Sequence, residues 1–405
     1  MRILFLLLLS GLVACSSNDT QPEEESKGPV GLSGFDEEFD VSVEWRRQVG
    51  VGQGGSQGQF VPAIQNDRLW IADSEGVIES IAIESGARLW RVNLEESLTM
   101  GVYLHDQSLL LATANGELIS LSIEDGSENW RKDLSSEIVA LPAANDQHIA
   151  LQSVDGNLHL LNAQSGKRLW SYNSNLPNLS LRGTSSPVIT GDKVIAGFAS
   201  GKVVAVSRSE GRVLWQERVG IPAGRSELER LVDVDGRILI EDDIVYAVGY
   251  QGHAVALDLN SGKAMWKREA SSYHGALTGL GNLYIIAEDD RIIAIDERTT
   301  NDVWIQPDLI GRQLTQPVMV KDQIAIADYE GYVHLVKQLD GTIVGRTHVV
   351  RVPTDWVRTG SYNMKHPSRH FSKEKNIPAR LTVAGDTLIA YSQSGLLSAI
   401  TVENN

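Results

Sequence analysis

The sequence predicts an all-β chain, an eight-bladed β-propeller of four-stranded antiparallel blades, its ring closed by the N-terminal strand joining the C-terminal blade. Three observations carry that expectation. First, a Gly-to-Trp stretch recurs: "ESGARLW" ends at Trp90, "EDGSENW" at Trp130, "QSGKRLW" at Trp170, "SEGRVLW" at Trp215 and "NSGKAMW" at Trp266. A looser "ERTTNDVW" ends at Trp304, and "LDGTIVG" puts Gly345 where a Trp is expected. Second, a turn and an alternating apolar run precede each copy, with turn positions at Gly76, Gly116, Gly156, Gly201, Gly252, Asp290, Gly331 and Gly395. These lie about 40–50 residues apart save the last, a spacing typical of propeller repeats. Third, "VSVEWRRQV", residues 41–49, carries Trp45 without a preceding copy, while the eighth turn has no Gly-to-Trp strand after it.

Residues 1–14 are expected to be a lipoprotein signal peptide. "MRILFLLLLSGLVACSS" has one Arg, an apolar run from Ile3 to Leu9, and small residues before a Cys. That run is too short for a spanning helix, which needs ~20 residues. Leu12-Val13-Ala14-Cys15 resembles a bacterial lipobox, whose Cys is acylated. Residues 15–40 read as lipidated Cys15 and a flexible tether, since "SSNDTQPEEESKGPVG" is polar, acidic and free of apolar periodicity. Residues 41–405 read as one propeller domain. Cys15 is the only cysteine, so this body must hold itself by burial rather than disulfides, and 42% apolar content suits that. A formal net charge of −16 speaks against binding to nucleic-acid phosphates.

One repeat shows the four pieces of a blade. "SPVIT", "KVIAGFA", "KVVAVSRS" and "RVLWQERV" are β-branched runs separated by turns at Gly191-Asp192, Ser200-Gly201 and Glu210-Gly211. A lone four-stranded sheet leaves both apolar faces open, so neighbouring sheets must cover one another. The Trp of each outer strand is then expected to join adjacent blades, at about 3–5 kcal/mol for each truncation. Trp45 is expected to complete the sheet built from residues 379–402, removing a free edge.

The Gly-to-Trp wording resembles the tryptophan-docking repeats of quinoprotein alcohol dehydrogenases. With the lipobox, the length and the single Cys, the chain resembles the BamB family, lipoproteins of the outer-membrane β-barrel assembly machine. The resemblance implies a non-catalytic scaffold, anchored by lipid at the periplasmic face of the outer membrane, that assists folding and insertion of barrel proteins. It implies binding to POTRA domains of BamA, and through BamA to the other Bam lipoproteins, with unfolded outer-membrane proteins as further partners. Two stretches sharpen it, "LSLRG" at 179–183 and "ERLVDVD" at 229–235. By resemblance Leu179, Leu181 and Arg182 carry one part of the BamA contact, and Asp233 and Asp235 the other. Both stretches fall between the Trp of one blade and the first strand of the next, so they share one end of the ring. The wide spacing from Gly201 to Gly252 marks an enlarged loop there, where binding tends to sit.

The rival reading is a periplasmic quinoprotein-like enzyme or ligand-binding propeller. The quinoprotein enzymes need a calcium-held quinone and an adjacent Cys pair, which a single Cys cannot supply, so no cofactor, metal or catalytic residue is expected. "EDDR" at 288–291 offers oxygens to a cation but sits at a repeat turn. "GVGQGG" at 50–55 matches a dinucleotide loop only formally, because no helical pattern follows it. His159 and His334 occupy equivalent repeat positions, and His366 and His370 lack further ligands nearby. Residues 349–380, with seven Lys/Arg against Asp355 and Glu374, stretch the last repeat into a basic insertion. That segment could face anionic lipid or an acidic partner, or simply be a solvated loop.

Overall fold

In the computed structural model, the described residues are 29–405 apart from 55–57, 135, 178, 180–183, 223–224, 227–229 and 351–375. Among them thirty-two strands, β1 to β32 in chain order, form eight four-stranded antiparallel sheets, and none is helical. Blades 1 to 7 each use four consecutive strands, over residues 63–93, 98–133, 143–173, 188–218, 239–270, 277–306 and 318–348. Blade 8 combines β30 (Thr382–Ala384), β31 (Thr387–Tyr391) and β32 (Leu396–Asn404) with β1 (Phe39–Gln48) as its outer strand. The expected closure is therefore present. Phe39 faces Asn404 and Gln48 faces Leu396, with one bulge between Val43 and Trp45.

Within a blade the sequence dictates radial position. The first strands, short except in blade 2, touch those of neighbouring blades, as 63–65 does with 98–105 and with 382–384, so they line the axis. Third strands such as Val77–Ala82 are covered on both faces, and in Lys202–Ser207 this shows as the continuous apolar run VVAV. Outer strands such as Arg88–Asn93 alternate between exposed and half-buried. The core consequently lies between blades: Trp70, Leu109, Ile119, Ile389 and Leu397 from blades 1, 2 and 8 belong to one buried cluster.

The tryptophans dock across blades rather than within their own repeat. The Trp45 indole lies against Gly86 of the next blade, Trp130 against Gly166, Trp170 against Gly211, Trp215 against Gly262 and Trp304 against Gly341. A Cβ on Gly262 would meet the Trp215 ring at 2.5 Å, and φ there is +68°, so only glycine fits. The indole N–H donates to a carbonyl of the same neighbouring blade: Trp45 to Ile83 (2.7 Å), Trp90 to Ile123 (3.0 Å), Trp170 to Arg208 (2.8 Å), Trp215 to Leu259 (3.0 Å) and Trp304 to Gln338 (2.8 Å). In blades 1 to 4 each repeat thus presents a glycine to the blade before it and an indole to the blade after it. Gly345, the missing indole of blade 7, sits beside β1, where a Cβ would lie 2.7 Å from Val41. Its smallness admits the closing strand.

β1 also ties blades 7, 8 and 1 together by polar contacts. Arg47 reaches the buried Glu79 of blade 1 (2.9 Å) and the Gly86 carbonyl (3.2 Å), while Arg46 donates to the Val349 carbonyl (2.8 Å). Residues 29–38, inside the stretch expected to be a tether, lie along the rim of blades 6 and 7. Arg312 donates to the Val30 carbonyl (3.2 Å) and Arg346 to that of Ser33 (2.9 Å), with the Phe35 ring 4.8 Å below the Arg346 guanidinium.

Glu79, His159 and His334 occupy the same third-strand position of their blades, where each is buried and fully engaged. Ser153 and Ser171 hydroxyls hold the two nitrogens of His159 at 3.0 and 2.8 Å. Arg346 donates to Nδ1 of His334 (3.1 Å), which leaves the proton on Nε2, 3.0 Å from Asp328. Burial lowers the pKa of both imidazoles, that of His159 to about 4, so they are structural and neutral.

Candidate functional site

Four antiparallel strands per blade bring every blade-to-blade connection to one end of the ring, together with the turns at Gly76, Gly116 and their equivalents. The sequence-predicted residues fall on the connections after blades 3 and 4. Leu179 is 43% exposed. Leu181 and Arg182 lie outside the described residues, as do Cys15, residues 1–28 and all but the ends of the basic insertion. Leu176 (45%), Ile221 (57%) and Tyr273 (45%) add exposed apolar surface on the connections after blades 3, 4 and 5. Leu176 and Ile221 escaped the sequence reading. Their signal is an apolar residue beside Pro in an otherwise polar loop, as in "NSNLPN" and "GIPAG".

Of the two carboxylates assigned to the contact by resemblance, Asp233 is buried and Asp235 half-buried. Asp233 is 0% exposed, and its backbone pairs with Tyr250, the ring of which stacks on Tyr273 at 4.5 Å. Its Oδ1 accepts the Val234 amide (2.8 Å), and its carboxyl shares a hydrogen bond with that of Asp235. Burial, and then the neighbouring Asp235, push the Asp233 carboxyl up to about 9; burial raises Asp235 as well. Asp233 sits beneath the loop, and Asp235 lines the cavity beside it.

A pH dependence follows. The folded pKa of Asp233 lies above the unfolded value near 3.9, so the folded state binds more protons between about pH 4 and pH 9. Its contribution is fully favourable below the unfolded value and is lost as pH rises through that window. Asp233→Asn removes the titration and is expected to stabilise the protein at pH 8 by at least about 1.4 kcal/mol, since the carboxyl must take up a proton to fold there and the amide need not. The gain should vanish near pH 4. Thermal melts of both proteins at the two pH values check this, and a pH-independent difference would contradict it.

The turn at 288–291 is structural in the described geometry. Asp290 has φ +70° in the glycine position, and its two oxygens take the Gln313 and Leu314 amides at 2.7 and 2.9 Å. Asp289 pairs with Arg291 (2.7 Å). Among the described residues no cluster of three or more His, Cys, Asp or Glu could hold a metal. The "GVGQGG" loop is the crossing from blade 8 to blade 1: a Cβ on Gly50 would strike Asp73, and one on Gly52 the Gln393 carbonyl.

Similarity to known proteins agrees with this geometry. The family described as "Outer membrane protein assembly factor BamB" matches residues 74–306. The protein of that name from Pseudomonas aeruginosa is 50% identical over 353 residues, covering 87% of this chain and 91% of its own. A crystal structure of BamB from Moraxella catarrhalis superposes with a TM-score of 0.75 at 25% identity, over 89% of this chain and 99% of that one. A quinohemoprotein alcohol dehydrogenase from Comamonas testosteroni shares the fold at TM-score 0.68, but at 10% identity over 89% of this chain and 76% of that one it speaks for fold alone. A rigid eight-bladed ring with apolar loops at one end, and relatives of matching length throughout, place this chain in the BamB family of outer membrane protein assembly factors, scaffolds rather than enzymes, which act with the machinery that builds the outer membrane's proteins.

Proposed function

We propose that this chain is the lipid-anchored scaffold of the β-barrel assembly machine that docks a POTRA domain of BamA on its inter-blade loops, in the periplasm. Residues 1–14 are removed as a signal peptide and Cys15 carries the lipid. Several acyl chains, at ~0.8 kcal/mol per buried methylene, make such an anchor stable. From Cys15 to the rim-bound Pro29 the chain reaches at most about 48 Å at ~3.4 Å per residue. The ring therefore stays near the membrane, with blades 6 and 7 nearest the anchor.

The observation that carries the docking assignment is the run of exposed apolar residues Leu176, Leu179, Ile221 and Tyr273 on three successive connections of a rigid ring. Apolar centres ringed by polar groups suit protein docking. Leu181 and Arg182 extend that patch by sequence, and Asp233 supports it from below. Replacing Leu179 and Leu181 by Ser and Arg182 by Ala is expected to cut recovery of BamA in a co-purification from cells at least tenfold, or about 1.4 kcal/mol. The melting curve should stay unchanged. Normal recovery with a folded triple variant would remove the site, and crosslinking from position 181 would then locate the true contact.

A further inference from the structure

The innermost strand of every blade, or the approach to it, contributes to one cavity of about 230 Å³, centred on the axis at the loop end of the ring. We propose that this cavity binds a small oxyanion, carboxylate or phosphate, between Arg237 and Arg380.

Both guanidiniums line the cavity, and neither has a hydrogen bond or ion pair among the described residues. In a chain with 52 acidic and 36 basic residues, two arginines on one wall without a carboxylate partner are conspicuous. The one carboxyl on the wall, Asp235, is engaged with Asp233 instead. Burial and the charge of Arg237 draw the Arg380 pKa down to about 10, so the like charges are close and partly stripped of water. A bound oxyanion relieves that repulsion, and the planar fork of a guanidinium matches two oxygens of a carboxylate or phosphate.

The remaining wall supplies neutral donors. The Tyr103 hydroxyl accepts the Ala144 amide (3.2 Å), which leaves its own proton for the cavity. Gln59 accepts the Leu141 amide through Oε1 (3.4 Å), leaving its NH₂ free to donate. Gln316 brings a second amide from blade 7. At ~30 Å³ for each water, the volume holds about seven waters, enough for phosphate or a small organic acid. Such a ligand would join the inner ends of blades 5 and 8 across the axis, beside the docking loops.

Titrating the full-length protein in detergent with sodium phosphate and with sodium citrate, at ionic strength held constant with sodium chloride, tests the assignment. Calorimetric binding of at least one anion with a Kd below about 1 mM is expected, with a matching rise in Tm. Arg237→Gln and Arg380→Gln should each weaken it at least tenfold, and Arg380→Lys less. Arg237 is the more exposed of the two, so its variant carries the test should Arg380→Gln fold poorly. No heat and no shift with either anion at about 10 mM would overturn the proposal. So would equal shifts from chloride, or binding unaffected by Arg237→Gln.

Discussion

Deleting residues 39–48 is expected to lower Tm by about 10 °C or more and to broaden the unfolding transition. The deletion strips blade 8 of its outer strand along the whole register from Phe39–Asn404 to Gln48–Leu396. It removes the Trp45 indole from Gly86, a loss of about 3–5 kcal/mol by analogy with core Trp truncation. It also takes Arg47 from Glu79, which is 1% exposed, leaving that carboxylate to Arg88 and Arg91 at 3.5 and 3.4 Å. Typical domains are stable by only about 5–15 kcal/mol, so these losses rival the total. The edge of β32 would then be free to pair with other chains, and concentration-dependent association should accompany the lowered Tm. An unchanged melting temperature would refute closure by β1.

Trp215→Ala should cost about 3–5 kcal/mol, the largest effect among the docking indoles, because Trp215 is the most buried of them at 7% exposure. Gly262→Ala should cost a comparable amount by the opposite route. A methyl at φ +68° carries about 1–2 kcal/mol of backbone strain, and it would also stand 2.5 Å from the Trp215 ring. Gly191→Ala separates the two terms. Gly191 has φ +51° with nothing within 4 Å, so only the backbone strain applies there. Denaturant melts of the three variants should order them Trp215→Ala, Gly262→Ala, then Gly191→Ala. The Trp215→Ala/Gly262→Ala double variant should be less destabilised than the sum of the single ones, since the methyl then has no ring to strike. Equal costs for Gly262→Ala and Gly191→Ala would show that the indole contact contributes nothing.

Much of the architecture was legible in the residues. Turn glycines such as Gly76 and Gly116 have positive φ and mark the turn between the second and third strands of each blade in the chain itself. Trp45 lacking a copy before it, and Gly395 lacking one after it, announced how the ring closes. The partner of each indole was not legible: Gly166 and Trp170 stand four residues apart in one repeat yet face opposite neighbours. Period alone cannot tell a contact within a repeat from one between repeats.

The loop end was read in part. Leu179 is exposed, while Asp233, polar and in an enlarged loop, is sealed beneath it. The chain pairs Asp233 with Tyr250 in a bridge that no local pattern signals. The rim-bound stretch 29–38 was similarly hidden, because its hold comes from Arg312 and Arg346, nearly three hundred residues away.

By itself the sequence determined the number of blades, their strand order and the means of closure, since each rests on local turn geometry and on apolar periodicity repeated along the chain. Only the tertiary structure decided which side chains meet across blades, which carboxyls are buried and which arginines face the axis. Those outcomes depend on where eight separate loops converge, and convergence is a property of the closed ring that no single stretch of residues contains.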